Sequence, residues 1–270
     1  MRMASPPLSS AVLHGLSDQG LPGVRKLLYT RIINIACLSI KNENRHSMPL
    51  PHTDPQAPSR RPGRPAKADP DQQRQQLLTV AAAHFVKSGF EGASLRAIAS
   101  EAGLAHGLIR HYFGAKDALW EAVADYLFGQ MQEAMVNAIA GLDASDPVAR
   151  MEAQVRATVR TSARIPHLAG FVMQAGIAGG DRYDWLVEHY LRPAYQFSLE
   201  PFHQLRAEGR AAFIDPHFAF MLSTNAAIGP FAQAANARAL AGMELTDPDT
   251  ADAYADALIA ILKHGVLRQS

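Results

Sequence analysis

Apolar side chains recur at spacings of three and four residues through most of the chain from position 70 onward, a period that predicts amphipathic helices. Leu78, Ala81, Ala82 and Phe85 form one such stripe in a helix expected over 70–88, with Gly89 placed to stop it. Leu119, Val123 and Tyr126 share a face of a longer helix expected over 116–140, and further helices are expected near 147–164, 167–178, 182–207, 216–240 and 248–267. No strand competes, because Ala is abundant, β-branched residues are sparse and no alternating run of useful length occurs. The pattern predicts an all-α fold.

The helix starts are marked chemically. Asp69-Pro70, Asp146-Pro147, Asp215-Pro216 and Asp247-Pro248 each precede a periodic stretch. An Asp can accept hydrogen bonds from the first free amides while Pro occupies a position whose N–H has no partner. Inside the 182–207 stretch, Pro193 and Pro201 predict a kink or interruption, which makes room for a cavity.

Between the first two long helices lies SLRAIASEAGLAHGLIRHYFGAKDALW, Ser94 to Trp120. Ser94 is a helix cap, Ile98, Ala99 and Ala102 give one apolar side, Gly103 permits a tight turn, and Leu104 and Ile109 lock a second short helix across it. That second helix is too short to hold itself together, so its neighbours must place it and its outer face is free. With Ile109 inward, Ala105, His106, Leu108, Arg110, His111 and Tyr112 turn outward or to the flanks. This is a helix-turn-helix arrangement, whose second helix enters the DNA major groove. Arg and His offer donors to guanine edges or phosphates, Tyr112 can donate to a phosphate, and Leu108 can contact a thymine methyl. A helical hairpin with a solvated basic face has the same pattern.

Net charge is only +1, but it is unevenly distributed. Residues 57–116 carry nine Lys and Arg against four acids, a net of +5, whereas residues 117–270 carry 11 against 18, a net of −7. A basic segment joined to an acidic one points to a polyanion for the first and a separate task for the second, though ordinary variation in surface charge gives such differences too. The single cysteine, Cys37, permits no internal disulfide and fits a reducing cytoplasm. The segment 27–40 is too short and too interrupted to span a bilayer, and no cleavage site follows it, so export is not expected. Residues 1–67 are expected to be a disordered extension, with translation starting at Met48 and 1–47 an upstream mis-assignment. The Pro-rich basic stretch RRPGRPAK, within an arm over 59–67, is expected to place Arg61 and Arg64 in a narrow minor groove; a plain basic linker is the alternative.

Over Phe85 to Val123 the chain resembles the TetR family of one-component transcriptional regulators. The likeness is carried by Phe85, Gly89-Phe90, Ser94, Ile98-Ala99, Ala102-Gly103-Leu104, Ile109, Tyr112-Phe113 and Lys116. The resemblance implies that His111, Tyr112 and Lys116 face the DNA backbone or groove floor. It also implies a helix-turn-helix domain over 68–116 and a helical ligand-binding and dimerisation domain over 117–270. Ala105 stands where a Ser cap is common and Arg110 where Tyr is usual, so individual base contacts do not transfer. The expected DNA-contacting set is Arg61, Arg64, Ser94, Arg96, Ala105, His106, Leu108, Arg110, His111, Tyr112 and Lys116. The C-terminal region is loosely similar to the family's uracil-responsive pyrimidine-catabolism regulator.

In the acidic half, Phe171, Met173, Gln174, Trp185, His189, Tyr195, Phe202 and Asn225 combine apolar bulk with a few polar heads, as a small-molecule pocket requires and as core packing also does. Small residues crowd 225–242 and 251–265, which allows close helix approach and a four-helix homodimer core; a monomer burying both stretches is the alternative. No catalytic motif is present, and no catalytic residue, cofactor or metal site is expected. The expected function is a cytoplasmic, ligand-responsive regulator, a repressor released from a pseudo-palindromic operator by a small molecule. The competing readings are a constitutive or architectural DNA binder without an effector, and a helical enzyme.

Overall fold

The computed structural model of the chain describes residues 70–211 and 214–266. Asp69, the expected arm with Arg61 and Arg64, and everything upstream of them lie outside the described residues. Among those described, all regular structure is helical. The order is α1 (Pro70–Gly92), α2 (Leu95–Glu101), α3 (His106–Phe113), α4 (Lys116–Ile139), α5 (Pro147–Arg164), α6 (His167–Ala178), α7 (Gly180–Leu186), a π-turn (Val187–Leu191), α8 (Arg192–Ala207), α9 (Pro216–Ala232), α10 (Ala234–Ala241) and α11 (Pro248–Val266). Gly89, at φ 67° and ψ 177°, breaks the helical path inside α1 where the chain was expected to stop.

The Asp-Pro starts behave as capping chemistry requires. Asp146 Oδ1 accepts from the amides of Val148 and Ala149 at 3.1 and 3.0 Å, Asp215 Oδ1 from His217 at 2.8 Å, and Asp247 Oδ2 from Thr250 at 2.9 Å. Two long helices expected from the periodicity are in fact divided. The 182–207 stretch contains the π-turn, in which Arg192 N–H reaches back five residues to Val187 O. The wide turn ends just before Pro193, whose ring nitrogen cannot donate to His189 O. The 216–240 stretch breaks at Gln233 between α9 and α10. There Pro230 cannot donate to Ala226 O, and the Tyr254 hydroxyl from α11 supplies that bond at 2.7 Å.

Two apolar cores follow from these helices. The first gathers Leu77, Leu78, Ala81, Ala82 and Phe85 of α1, Ile98 and Ala99 of α2, Ile109 of α3, and the α4 run Leu119, Trp120, Val123, Ala124, Leu127 and Phe128. Leu168 and Phe171 of α6 and Leu186 of α7 complete it. The helix-turn-helix segment is therefore packed through α4, α6 and α7, with no gap in the core at residue 116. The second core joins α5, α8, α9 and α11 through Met151, Val155, Val159, Phe202, Leu205, Ala227, Phe231, Leu258, Ile259 and Leu262. Along its outer edge α5 and α11 are tied antiparallel by Arg160–Asp252 and Arg156–Asp256, both at 2.5 Å, and by Glu152–Lys263 at 2.7 Å.

Candidate nucleic-acid interface and the cavities behind it

Ser94 Oγ accepts from Ala97 N at 3.4 Å and starts α2, which buries Ile98 and Ala99. The turn that follows is closed by Gly103 N to Ser100 O at 3.1 Å and Leu104 N to Ala99 O at 2.9 Å. Gly103 sits at φ 68°, a backbone that side chains oppose. Ala105 holds the cap position of α3 in an extended conformation and contributes no side-chain hydrogen bond, the local consequence of having no Ser there.

α3 divides by face. Ile109 is buried, and Leu108 is half-buried. His106, Arg110, His111 and Tyr112 are exposed, as are Ala105, Ser94 and Arg96. The His111 and Tyr112 rings meet edge-on with centroids 5.7 Å apart. Arg74 of α1 lies 5.7 Å over the Phe113 ring and braces the end of the helix. A short basic and aromatic ridge thus stands on a helix anchored by one aliphatic side chain, as expected from the spacing.

Lys116 is less free than its place in the motif implies. Its ammonium donates to Glu91 O at 3.0 Å and lies 4.7 Å from the Phe90 ring centre. Nearby, Arg182 of α7 stacks 3.5 Å over the same ring and donates to Glu91 Oε1 at 3.0 Å and Asp117 Oδ1 at 3.1 Å. Arg182 therefore clips the end of α1 and the first turn of α4 to α7. Sequence reasoning missed it; its only signal was a cation two residues after Gly179-Gly180 in an otherwise acidic region.

The expected ligand residues do not converge on one cavity. A junction cavity is lined by Phe85, Phe90, Trp120, Phe171, Gln174 and Arg182 among others, and includes two of the expected set, Phe171 and Gln174. Trp185 stacks on His189 with centroids 4.4 Å apart and on its other contacts joins the first core through Trp120. A second cavity, among α4, α5, α8 and α9, is lined by Met135, Met151, Gln154, Val155, Thr158, Ser198, Phe202, Phe220, Ser223, Thr224 and Ala227, and of the expected set includes Phe202. Tyr195 bonds His217 through its hydroxyl. Met173 and Asn225 are exposed. Helix geometry explains both: Phe171 and Gln174 face inward one turn apart, which turns Met173 away, and Ser223 and Ala227 face inward, which turns Asn225 away.

Residues 77–123 match the family model described as bacterial regulatory proteins, tetR family. The chain is 40% identical over 80 residues to the HTH-type transcriptional regulator BetI of Yersinia pestis (strain Pestoides F), covering 30% of this chain and 40% of that protein. BetI of Serratia proteamaculans (strain 568) is 35% identical over 82 residues, again 30% of this chain and 41% of the relative. The chain thus spans about two fifths of the length of the curated relatives it matches. In fold it is similar to the ketosteroid transcriptional regulator KstR2 of Mycobacterium tuberculosis, with a TM-score of 0.61 at 16% identity over 76% of this chain and 100% of that one. It is similar also to AibR, solved with isovaleryl coenzyme A and operator DNA, with a TM-score of 0.56 at 18% identity over 70% of this chain and 97% of that one. Residues 77–123 are thus a helix-turn-helix segment of the kind found in the bacterial tetR-family regulatory proteins, and the all-helical fold around it is similar to that of solved transcriptional regulators.

Proposed function

We propose that the protein is a sequence-specific DNA-binding regulator whose grip on its operator is set by a small molecule. The observation that carries this reading is α3, which turns Ile109 and Phe113 toward the core and leaves Arg110, His111 and Tyr112 outward. Such a helix fits a major groove, where Arg110 can read a guanine edge and His111 and Tyr112 can meet bases or phosphates. Ser94, Arg96, Ala105, His106, Leu108 and Lys116 complete the proposed contact face, with Arg61 and Arg64 contributing from the arm.

One such helix reads only a half-site, so a two-fold dimer on a pseudo-palindrome supplies the affinity. Phe218, Met221 and Leu222 form an exposed apolar stripe on α9, and Ile261 is exposed on neighbouring α11, which supports this face as the homodimer surface. The effector acts by favouring a dimer whose two α3 helices have the wrong separation, releasing DNA and relieving repression. The same fold in AibR binds an acyl coenzyme A and operator DNA, which supports the general scheme and leaves this chain's effector to its own residues. With a single cysteine, and no helix among the described residues long and apolar enough to cross a membrane, the cytoplasm is the compartment we assign.

The test is a footprint on the DNA flanking the protein's own gene, at physiological salt with excess competitor DNA. A protected pseudo-palindrome is expected, with loss of protection when the effector is added. Protection that no metabolite extract changes would favour a constitutive binder, and salt-sensitive smearing without a protected site would refute sequence-specific binding.

A further inference from the structure

Behind the DNA-binding segment, the cavity among α4, α5, α8 and α9 has an unusual polar inventory. Gln154 of α5 is 4% exposed, lines the cavity, and its side-chain nitrogen has no hydrogen-bond acceptor. A buried amide of this kind is costly unless a partner from outside the protein takes its N–H. The other polar groups here leave it unsatisfied. Thr158 Oγ1 donates at 2.8 Å to the backbone oxygen of Gln154, and Ser223 Oγ donates at 3.0 Å to Phe220 O. Both hydroxyls have spent their protons and keep only acceptor capacity.

Among the described residues, the walls carry no Asp, Glu, His, Lys or Arg. A carboxylate or phosphate entering here would lose its hydration with no countercharge, a cost far larger than one neutral hydrogen bond returns. The apolar surface comes from Met135, Met151, Val155, Phe202, Phe220 and Ala227. The two methionines are unbranched and repack readily around a guest. The cavity volume is about 30 Å³, room for water but not for an organic guest, so the walls would have to move apart on binding.

We propose that this cavity is the effector site and that Gln154 is its specificity-determining residue, selecting an uncharged molecule with a carbonyl-type acceptor on an apolar body. The proposal rests on the reading of the protein as an effector-controlled regulator and adds the site and the ligand class. The acceptor takes the free N–H of Gln154, and any N–H or O–H beside it finds Thr158 or Ser223. Charged effectors are excluded by the walls.

Acetophenone, ethylbenzene and benzoate are of similar size and separate the three chemistries: neutral acceptor, no acceptor, charge. Binding to the full chain is followed through the 13C-labelled methyl signals of methionine, with Met135 and Met151 assigned by single Met→Leu variants. Acetophenone is expected to shift the Met135 and Met151 signals and to bind more tightly than ethylbenzene, and benzoate to leave both unmoved. In Gln154→Leu the preference for acetophenone over ethylbenzene should fall about tenfold, the value of one neutral hydrogen bond in a dry site. The same variant should melt a few degrees higher, because it removes the orphan donor. If Gln154→Leu leaves the preference intact, or if benzoate binds as well as acetophenone, the proposal is overturned. Gln154→Asn keeps the amide on a shorter arm and separates loss of the donor from altered packing: it should weaken acetophenone binding while retaining a preference over ethylbenzene. Gln154-dependent binding that leaves operator affinity unchanged would instead refute the site's role as effector switch and leave the ligand site standing.

Discussion

Replacing Gly170 with Ala tests how closely the helix-turn-helix segment is seated on the rest of the molecule. A Cβ built on Gly170 of α6 would lie 2.7 Å from Cγ1, 3.3 Å from Cγ2 and 3.6 Å from Cβ of Val86 on α1. Carbon atoms rest at about 3.5–4.0 Å, so the two helices would have to part by about 1 Å. Val86 cannot rotate away, because a β-branched side chain in a helix has essentially one rotamer and rotation would only exchange one methyl for the other. Overpacking of this kind costs about 1–3 kcal/mol, offset by the ~1 kcal/mol that Ala gains over Gly in a helix. Gly170→Ala alone should therefore destabilise by up to about 2 kcal/mol. Val86→Ala alone removes two half-buried methyls and should cost about 1 kcal/mol. With Val86 already Ala, the nearest atom is the 3.6 Å Cβ, an ordinary contact, so adding Gly170→Ala should now stabilise by about 1 kcal/mol. Urea unfolding of the four proteins measures the coupling, expected at about 1–3 kcal/mol; additivity within ~0.5 kcal/mol would refute the close-approach argument.

Four further outcomes follow from the same geometry. Arg110→Ala should cost about 1–3 kcal/mol on the preferred operator and relax its sequence preference, whereas Lys116→Ala should weaken binding evenly across sequences; titrations on specific and scrambled DNA separate them, and equal losses on both DNAs from Arg110→Ala would mean it touches only phosphate. Burial lowers the pKa of His167, at the start of α6, below its ordinary value of 6.5. The unfolded chain then takes up that proton before the folded one, so stability should fall as pH drops below about 6.5, and His167→Gln should flatten that part of the profile; identical slopes would exclude His167 as the source. Asp146→Ala removes an acceptor for two amides at the start of α5 and should lower stability by about 1 kcal/mol in denaturant unfolding, with Asp146→Asn largely restoring it. Arg182→Ala should change global stability little, because its pairs are partly exposed, yet raise amide exchange in the first turn of α4; unchanged exchange there would show that the clip restrains nothing.

Much of the fold was legible because helices announce themselves twice, through periodicity and through caps. The starts at Pro147, Pro216 and Pro248 were readable from the preceding Asp, whose carboxylate has a local job that tertiary context does not alter. The interruptions were harder to place. Pro193 was visible, but the wide turn it favours spans the five residues Val187–Leu191 and lies wholly before it. Pro230 lies within the periodic 216–240 stretch, and only the distant Tyr254 hydroxyl explains how the break near it is tolerated. The face of α3 was readable because its fully buried residue, Ile109, fixes the orientation of eight residues. The cavities were not readable in the same way. A side chain such as Gln154 looks like any polar residue on a helix until three other helices have enclosed it, so the orphan amide exists only in three dimensions. The surroundings of the aromatic residues were hidden for the same reason: Trp185 and His189 stack, His189 bonds Trp185 O, and Tyr195 bonds His217.

The central claim is that α3 reads DNA sequence, and selection of bound duplexes from a random library tests it most directly, followed by affinity for the selected and a scrambled duplex at physiological salt. The account predicts a pseudo-palindromic consensus and a preference of about 10³ or more over scrambled DNA, lost in large part when Arg110 is Ala. No enriched sequence, with a specific-to-scrambled ratio near one, would contradict it.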